Sequence, residues 1–257
     1  MKAQRFRWST GLLMGMLVLI AVTGRQAAAQ SQKMAIPSYF YPGKLWTKLE
    51  EAAPTLGLAI INPNSGPGEK IDPAYVAQVK ELKAHHITVL GYVHTSYTKR
   101  PFDEVKSESA QYFQWYKVDG IFFDEVSNTK AEVPYYAQCH DMARSLKPRC
   151  MVVLNPGTQT DEAYMAVCDI LTNYESGLDD YLHKYDAPAW VAKYPARRFW
   201  HIVLRVESEA DMQAVIKLTK QRNAGWVYVT PLGDPNPYDK LPDDPYWSDL
   251  LAALRSK

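Results

Sequence analysis

Two acids, Asp124 and Glu125, stand side by side within the stretch 117–128, KVDGIFFDEVSN, and a third, Glu175, follows Asn173 and Tyr174. Carboxyls held in pairs can do acid/base or nucleophilic work at a glycosidic bond. Two acids after an apolar run can also simply meet water or cap a helix, so their meaning depends on what holds them. Asp119-Gly120 is a turn signal, and Ile121, Phe122 and Phe123 form a short run of β-favouring residues. A buried strand that delivers acids at its C-terminal end is how many α/β enzymes build a site.

The elements around this stretch alternate. Strands are expected at 34–41, 55–61, 87–93, 120–124, 150–154, 169–174, 199–206 and 225–229. Between and after them come helices at 46–53, from Pro73, at 102–116, 133–146, 161–167, 178–193 with a break at Pro188, 209–222 and 246–254. Asp72 can cap the helix that Pro73 opens, and Val76, Val79 and Leu82 recur at helical spacing. Alternation of this kind implies a parallel sheet. LAIIN, MVVLN and WVYVT are apolar on both faces, as burial beneath helices requires. Eight βα units predict an α/β fold of the (β/α)8 TIM-barrel kind in a single domain, 30–257. An open doubly wound sheet is the rival; the Gly-rich phosphate loop that a nucleotide site would need after an early strand is missing.

In such a barrel the C-terminal strand ends share one face. That face would gather Tyr39 and Tyr41, Asn62, Tyr92 and His94, Tyr97, Asp124 and Glu125, Asn155, Tyr174 and Glu175, and Thr230. Acids ringed by amides, a histidine and aromatics suit a sugar, with aromatic faces for the rings and polar groups for the hydroxyls. Tyr39, Tyr92, Tyr97 and Tyr174 should border an open groove. Each residue has a plainer reading. Asn62 and Asn155 precede prolines and can merely shape turns, His94 can be a rim residue, and Tyr39 and Tyr41 can be packing. Glu125 neighbours Asp124 in the strand and should face the other side, entering the site only if the chain has already turned there.

Other chemistries fit poorly. There is no GxSxG, no HExxH and no cysteine pair at CxxC spacing, so no metal or other cofactor is expected. Basic residues are scarce at the strand ends, which disfavours phosphorylated substrates. Residues 1–29 read as a signal peptide: Lys2, Arg5 and Arg7, an apolar core at 12–22, and Ala27-Ala28-Ala29 as the cleavage site. Its removal takes the net charge from +1 to −3, which argues against nucleic acid as a partner. The mature chain is expected to be secreted or periplasmic, monomeric, and not inserted in a membrane. Cys139, Cys150 and Cys168 then sit in an oxidising compartment. Cys150 and Cys168 open adjacent strands, so they are the pair expected to be bridged, if any is.

IPSYFYPG (36–43), INPNSGPG (61–68), GYVHTSY (91–97), DGIFFDE (119–125), LNPGT (154–158), NYE (173–175) and NPYDKLP (236–242) together resemble the spherulin 4 family, glycoside hydrolase family 135. The resemblance spans nearly the whole mature chain. It implies a secreted (β/α)8 barrel that hydrolyses, within the chain, the α-1,4-linked N-acetylgalactosamine of galactosaminogalactan, a matrix polysaccharide. It also implies that the functional acids are Asp124, Glu125 and Glu175. From this follows the expectation of a polysaccharide substrate, a part in processing biofilm matrix, Asp124 as nucleophile or charge stabiliser, Glu175 as general acid/base and Glu125 as the group that orients them. Serving as acid would require Glu175 to hold a proton, with Tyr174 and Asp124 beside it. The alternative is a carbohydrate-binding barrel of the cell envelope without catalysis.

Overall fold

A computed structural model describes residues 32–256; the expected signal segment lies outside the described residues. Eight parallel strands close into a barrel in chain order, with β1 pairing both β2 and β8. They are β1 Lys33–Ser38, β2 Leu56–Ile61, β3 Thr88–His94, β4 Gly120–Asp124, β5 Met151–Leu154, β6 Ile170–Gly177, β7 Phe199–Leu204 and β8 Trp226–Val229. The helices are α1 Lys44–Glu51, α2 Pro73–Ala84, α3 Phe102–Gln111, α4 Val133–Leu146, α5 Leu178–His183, α6 Glu209–Gln221 and α7 Tyr246–Arg255. This is the single-domain (β/α)8 barrel that the alternation predicts.

Local chemistry sets the helix starts. The Asp72 carboxylate accepts from Ala74 N at 2.8 Å ahead of Pro73, and Ser208 Oγ accepts from Asp211 N at 3.1 Å to open α6. Two predicted helices end early. The expected 102–116 helix gives way after α3 to a π turn, Tyr112–Tyr116, which leaves Tyr112 and Tyr116 both buried. Tyr112 presses so closely on β3 that a Cβ at Gly91 would lie 2.3 Å from its ring, so only glycine fits there. The 178–193 helix reduces to α5, and a separate 3-10 turn, Ala189–Lys193, starts after Pro188.

Aromatic side chains cross the barrel interior. Phe122 on β4 lies 5.8 Å from Trp200 on β7, and 6.3 Å from Tyr92 on β3, centroid to centroid. Strands β4 and β7 are not neighbours, so the first contact spans the core. That aromatic layer is the floor beneath the mouth.

The expected disulfide is not formed: Cys139, Cys150 and Cys168 are free and buried. Val153 pairs with Ile170 across β5 and β6. Strand β5 starts only at Met151 and β6 only at Ile170, so Cys150 and Cys168 both precede the paired strands and no ladder sets them opposite each other. Cys168 Sγ instead donates to Tyr164 O at 3.3 Å.

Candidate active site

One amide organises the mouth. Asn155, just past the end of β5, donates one Nδ2 hydrogen to Asp124 Oδ1 at 2.7 Å and the other to Glu175 Oε2 at 2.6 Å. Its own Oδ1 accepts from Gly157 N at 3.0 Å, which fixes which end of the amide faces the acids. Asn155 therefore does both things the sequence left open: it shapes the Asn-Pro-Gly turn and it bridges the carboxyls. Gly157 has φ 64°, which the turn needs and glycine supplies without strain.

Each acid also has a phenol beside it. The Tyr92 hydroxyl, on the neighbouring strand, faces Asp124. Tyr238 donates a hydrogen bond to Glu175 Oε1. Tyr39 stands edge-on to both tyrosines, 5.3 Å from Tyr92 and 5.4 Å from Tyr238. Packed rings strip water from Asp124, and that burial, with the Glu175 charge beside it, pushes its carboxyl up to about 7 despite the hydrogen bond it accepts from Asn155. The expectation placed the proton on Glu175; burial favours a neutral Asp124 instead.

Glu125 joins the site because the strand ends one residue earlier. Its φ of 51° is left-handed, so the alternation that would aim it away from Asp124 no longer holds. Its carboxylate accepts from Ser96 Oγ at 3.1 Å and lies 3.5 Å from His94 Nδ1. His94 stacks on Tyr92. The turn that carries Ser96 is unusual: Ser96, Tyr97 and Thr98 all have positive φ. It is pinned to the acids' backbone by Thr95 N to Asp124 O at 2.9 Å, Thr95 Oγ1 to Glu125 O at 2.9 Å and Tyr97 N to Glu125 O at 2.7 Å. Tyr97 remains 57% exposed, and its hydroxyl feels the charges of Glu125, Asp124 and Glu175, which raise its pKa together with burial, the largest cause. It is an aromatic face held over the mouth.

Four expected members lie elsewhere. Tyr174 is buried on the outside of the barrel, 4.6 Å from Tyr181 and 4.8 Å from Tyr185, with its hydroxyl on Gly177 O. Side chains alternate along β6, so placing Glu175 inward turns Tyr174 outward; a register shift between Thr172 and Tyr174 sets the phase. Tyr41 is 63% exposed and bonds Asp72 Oδ2 at 3.1 Å, at the start of α2. Asn62 Oδ1 accepts from Gly66 N at 2.9 Å and shapes its own loop. Thr230 does the same for Leu232 N, at 3.2 Å. In the other direction, Tyr238 and Ser96 are site residues that the reading of strand ends missed. Tyr238 comes from the tail after β8, and its only signal was its place in the quoted motif NPYDKLP.

A parallel barrel with a bridged pair of carboxyls at its C-terminal mouth defines the class. The chain belongs to the spherulation-specific family 4 (Spherulin4), whose model matches residues 33–254. It is 32% identical over 195 residues to Spherulin-4 of Physarum polycephalum, a match covering 74% of this chain and 58% of that protein, so it spans little more than half of its relative. Among solved structures, Sph3 of Aspergillus clavatus in complex with GalNAc superposes with a TM-score of 0.75 at 24% identity, over 88% of this chain and 99% of that one. A chitinase from Chromobacterium violaceum reaches 0.56 at 12% identity, over 87% and 100%, and an α-amylase from Geobacillus thermoleovorans reaches 0.56 at 10%, over 88% and 77%. At such identities these likenesses show a shared barrel.

Proposed function

We propose that this chain is an exported, monomeric, endo-acting glycoside hydrolase that cleaves α-1,4-linked galactosamine or N-acetylgalactosamine in an exopolysaccharide, with Asp124 and Glu175 as its reacting pair and a role in turning over biofilm matrix. The observation that carries this is the amide bridge. Two bonds of 2.7 and 2.6 Å to one nitrogen cap the separation of the bonded oxygens at about 5.3 Å. Carboxyls about 5–5.5 Å apart suit a retaining mechanism through a glycosyl-enzyme ester, whereas inverting pairs lie about 6.5–9.5 Å apart. The family and the GalNAc held by Sph3 support the sugar. In an α-linked galactosamine the 2-acetamido group is cis to the leaving group and cannot attack from the rear, so the nucleophile must come from the protein.

Asp124 as nucleophile and Glu175 as acid/base, the partition expected from the resemblance, requires the proton held on Asp124 to pass to Glu175 when substrate binds. The reverse partition needs no transfer and is the one that the burial of Asp124 favours. Tyr39, Tyr92 and Tyr97 would border the sugar, and Glu125, tied to Ser96 and His94, would fix the turn that carries Tyr97.

The test is release of reducing ends from a partially N-acetylated α-1,4-galactosamine polymer. Asp124→Asn and Glu175→Gln should each abolish turnover while leaving the fold intact; near-wild-type cleavage by either removes that residue from the pair. Azide rescue of the glycine variants separates the roles, since the nucleophile-less enzyme forms a glycosyl azide of inverted anomeric configuration and the acid/base-less enzyme one of retained configuration. A wild-type protein that binds the polymer and releases no ends is instead the envelope carbohydrate-binding barrel.

A further inference from the structure

Tyr238 reaches the acids from outside the βα repeat. It lies in the segment between β8 and α7, and its backbone is tied to the first strand's exit by Tyr39 N donating to Tyr238 O at 3.0 Å. Its own N–H is held by Asn236 Oδ1 at 3.0 Å. The side chain is 8% exposed, stands against Tyr39 and, 6.4 Å away, Tyr228, and ends on Glu175 Oε1. Each acid accepts one hydrogen from the same amide; Glu175 accepts a second from Tyr238, while the Tyr92 hydroxyl stands beside Asp124.

Two carboxyls this close do not both ionise freely near neutral pH, so one proton is held between them. Asn155 gives the same bond to both and cannot bias where that proton sits. The groups facing the pair are Tyr39 just past β1, Tyr92 and His94 from β3, Tyr97 from the β3–α3 turn, Glu125 past β4 and Tyr238 from the tail. None of these is a lysine or arginine. What differs between the two acids is the phenol that each meets, Tyr238 donating to Glu175 and Tyr92 standing beside Asp124.

We infer that Tyr238 is a positioning residue of the acid pair: its hydroxyl, in competition with that of Tyr92, decides which carboxyl carries the shared proton. A donor to a carboxylate stabilises its charged form. Tyr238 therefore favours charge on Glu175 and sends the proton to Asp124, while Tyr92 pulls the other way. The raised carboxyl of Asp124 agrees with Tyr238 and burial together outweighing Tyr92. The inference takes from the proposed function only that Asp124 and Glu175 are the reacting pair.

The experiment reads one carbon. The protein is labelled with aspartate carrying 13C at the side-chain carboxyl, the Asp124 signal is assigned by its loss in Asp124→Asn, and its shift is followed against pH in the free protein. The wild-type midpoint should lie near 7. Tyr238→Phe should move it down, because Glu175 then competes better for the proton, and Tyr92→Phe should move it up. Tyr39→Phe, which removes a hydroxyl bonded to neither acid, should leave it in place. An unmoved or raised midpoint in Tyr238→Phe overturns the inference, as does a lowered one in Tyr92→Phe, and the second variant decides the matter if the first does not fold. Since no substrate is present, a protein that cleaves no polymer but titrates in this way refutes the hydrolase reading and leaves the role of Tyr238 standing.

Discussion

Asp124 carries a consequence for stability as well as for chemistry. In the unfolded chain an aspartate titrates near 3.9, whereas in the fold Asp124 is pushed up to about 7. Between those values the folded protein holds a proton that the unfolded chain has released, so stability falls as pH rises through that window and the loss is complete above it. The size is on the order of a few kcal/mol. Asp124→Asn removes the ionisation. Its melting temperature should exceed that of the wild type at pH 8, and the gap should close as the pH is lowered toward 4. Melting curves that differ by the same amount at both ends would mean that Asp124 is well solvated. Glu125 is a different case. It is tied to Ser96 and His94 rather than to either acid, with its side chain 42% exposed, so Glu125→Gln should lower turnover less than either change in the pair.

At the scale of the element, the turn from His94 to Arg100 stores strain. Three successive residues in left-handed conformations are disfavoured by about 1–2 kcal/mol each, and a β-branched threonine at φ 74° is the poorest fit among them. The turn persists because Thr95 and Tyr97 hydrogen-bond the Asp124–Glu125 backbone, and because Arg100 holds His94 O at 3.2 Å while paired with Glu108. Its product is an exposed aromatic ring over the acids. Thr98→Gly should therefore stabilise the protein by about 1 kcal/mol in urea unfolding. Tyr97→Ala should leave the unfolding midpoint nearly unchanged while weakening polymer cleavage; undiminished cleavage would show that the ring touches no substrate.

For the whole molecule, barrel closure replaces covalent cross-links. The strand ladder runs from β1 round to β8 and back to β1, and Gln32 Nε2 spans the seam to Ala224 O at 2.7 Å. Arg255 Nε, at the end of α7, reaches Thr55 Oγ1 at 2.8 Å. The three buried thiols add no bridge. The native protein should thus react slowly with Ellman's reagent and show three thiols once denatured, and a reductant should leave its melting temperature unchanged. A single reactive thiol after denaturation would point to a disulfide formed in solution.

The alternation of apolar strands with capped helices determined the barrel, because parallel strands buried on both faces have few other ways to be covered. The same pattern placed Asp124 at a strand end, and its neighbours on the mouth followed from the rule that strand ends share a face. What the sequence leaves open is the rotation of each side chain and the reach of the irregular segments. A left-handed residue after β4 brought Glu125 in. A register shift in β6 aimed Glu175 at the pair and turned Tyr174 out. Cys150 and Cys168 fell just outside β5 and β6, where no strand pairing aligns them. Tyr238 meets Glu175 from 63 residues away along the chain, a contact that no local period encodes. Such contacts depend on how the closed barrel folds its tail back over the mouth, and only the tertiary structure decides that.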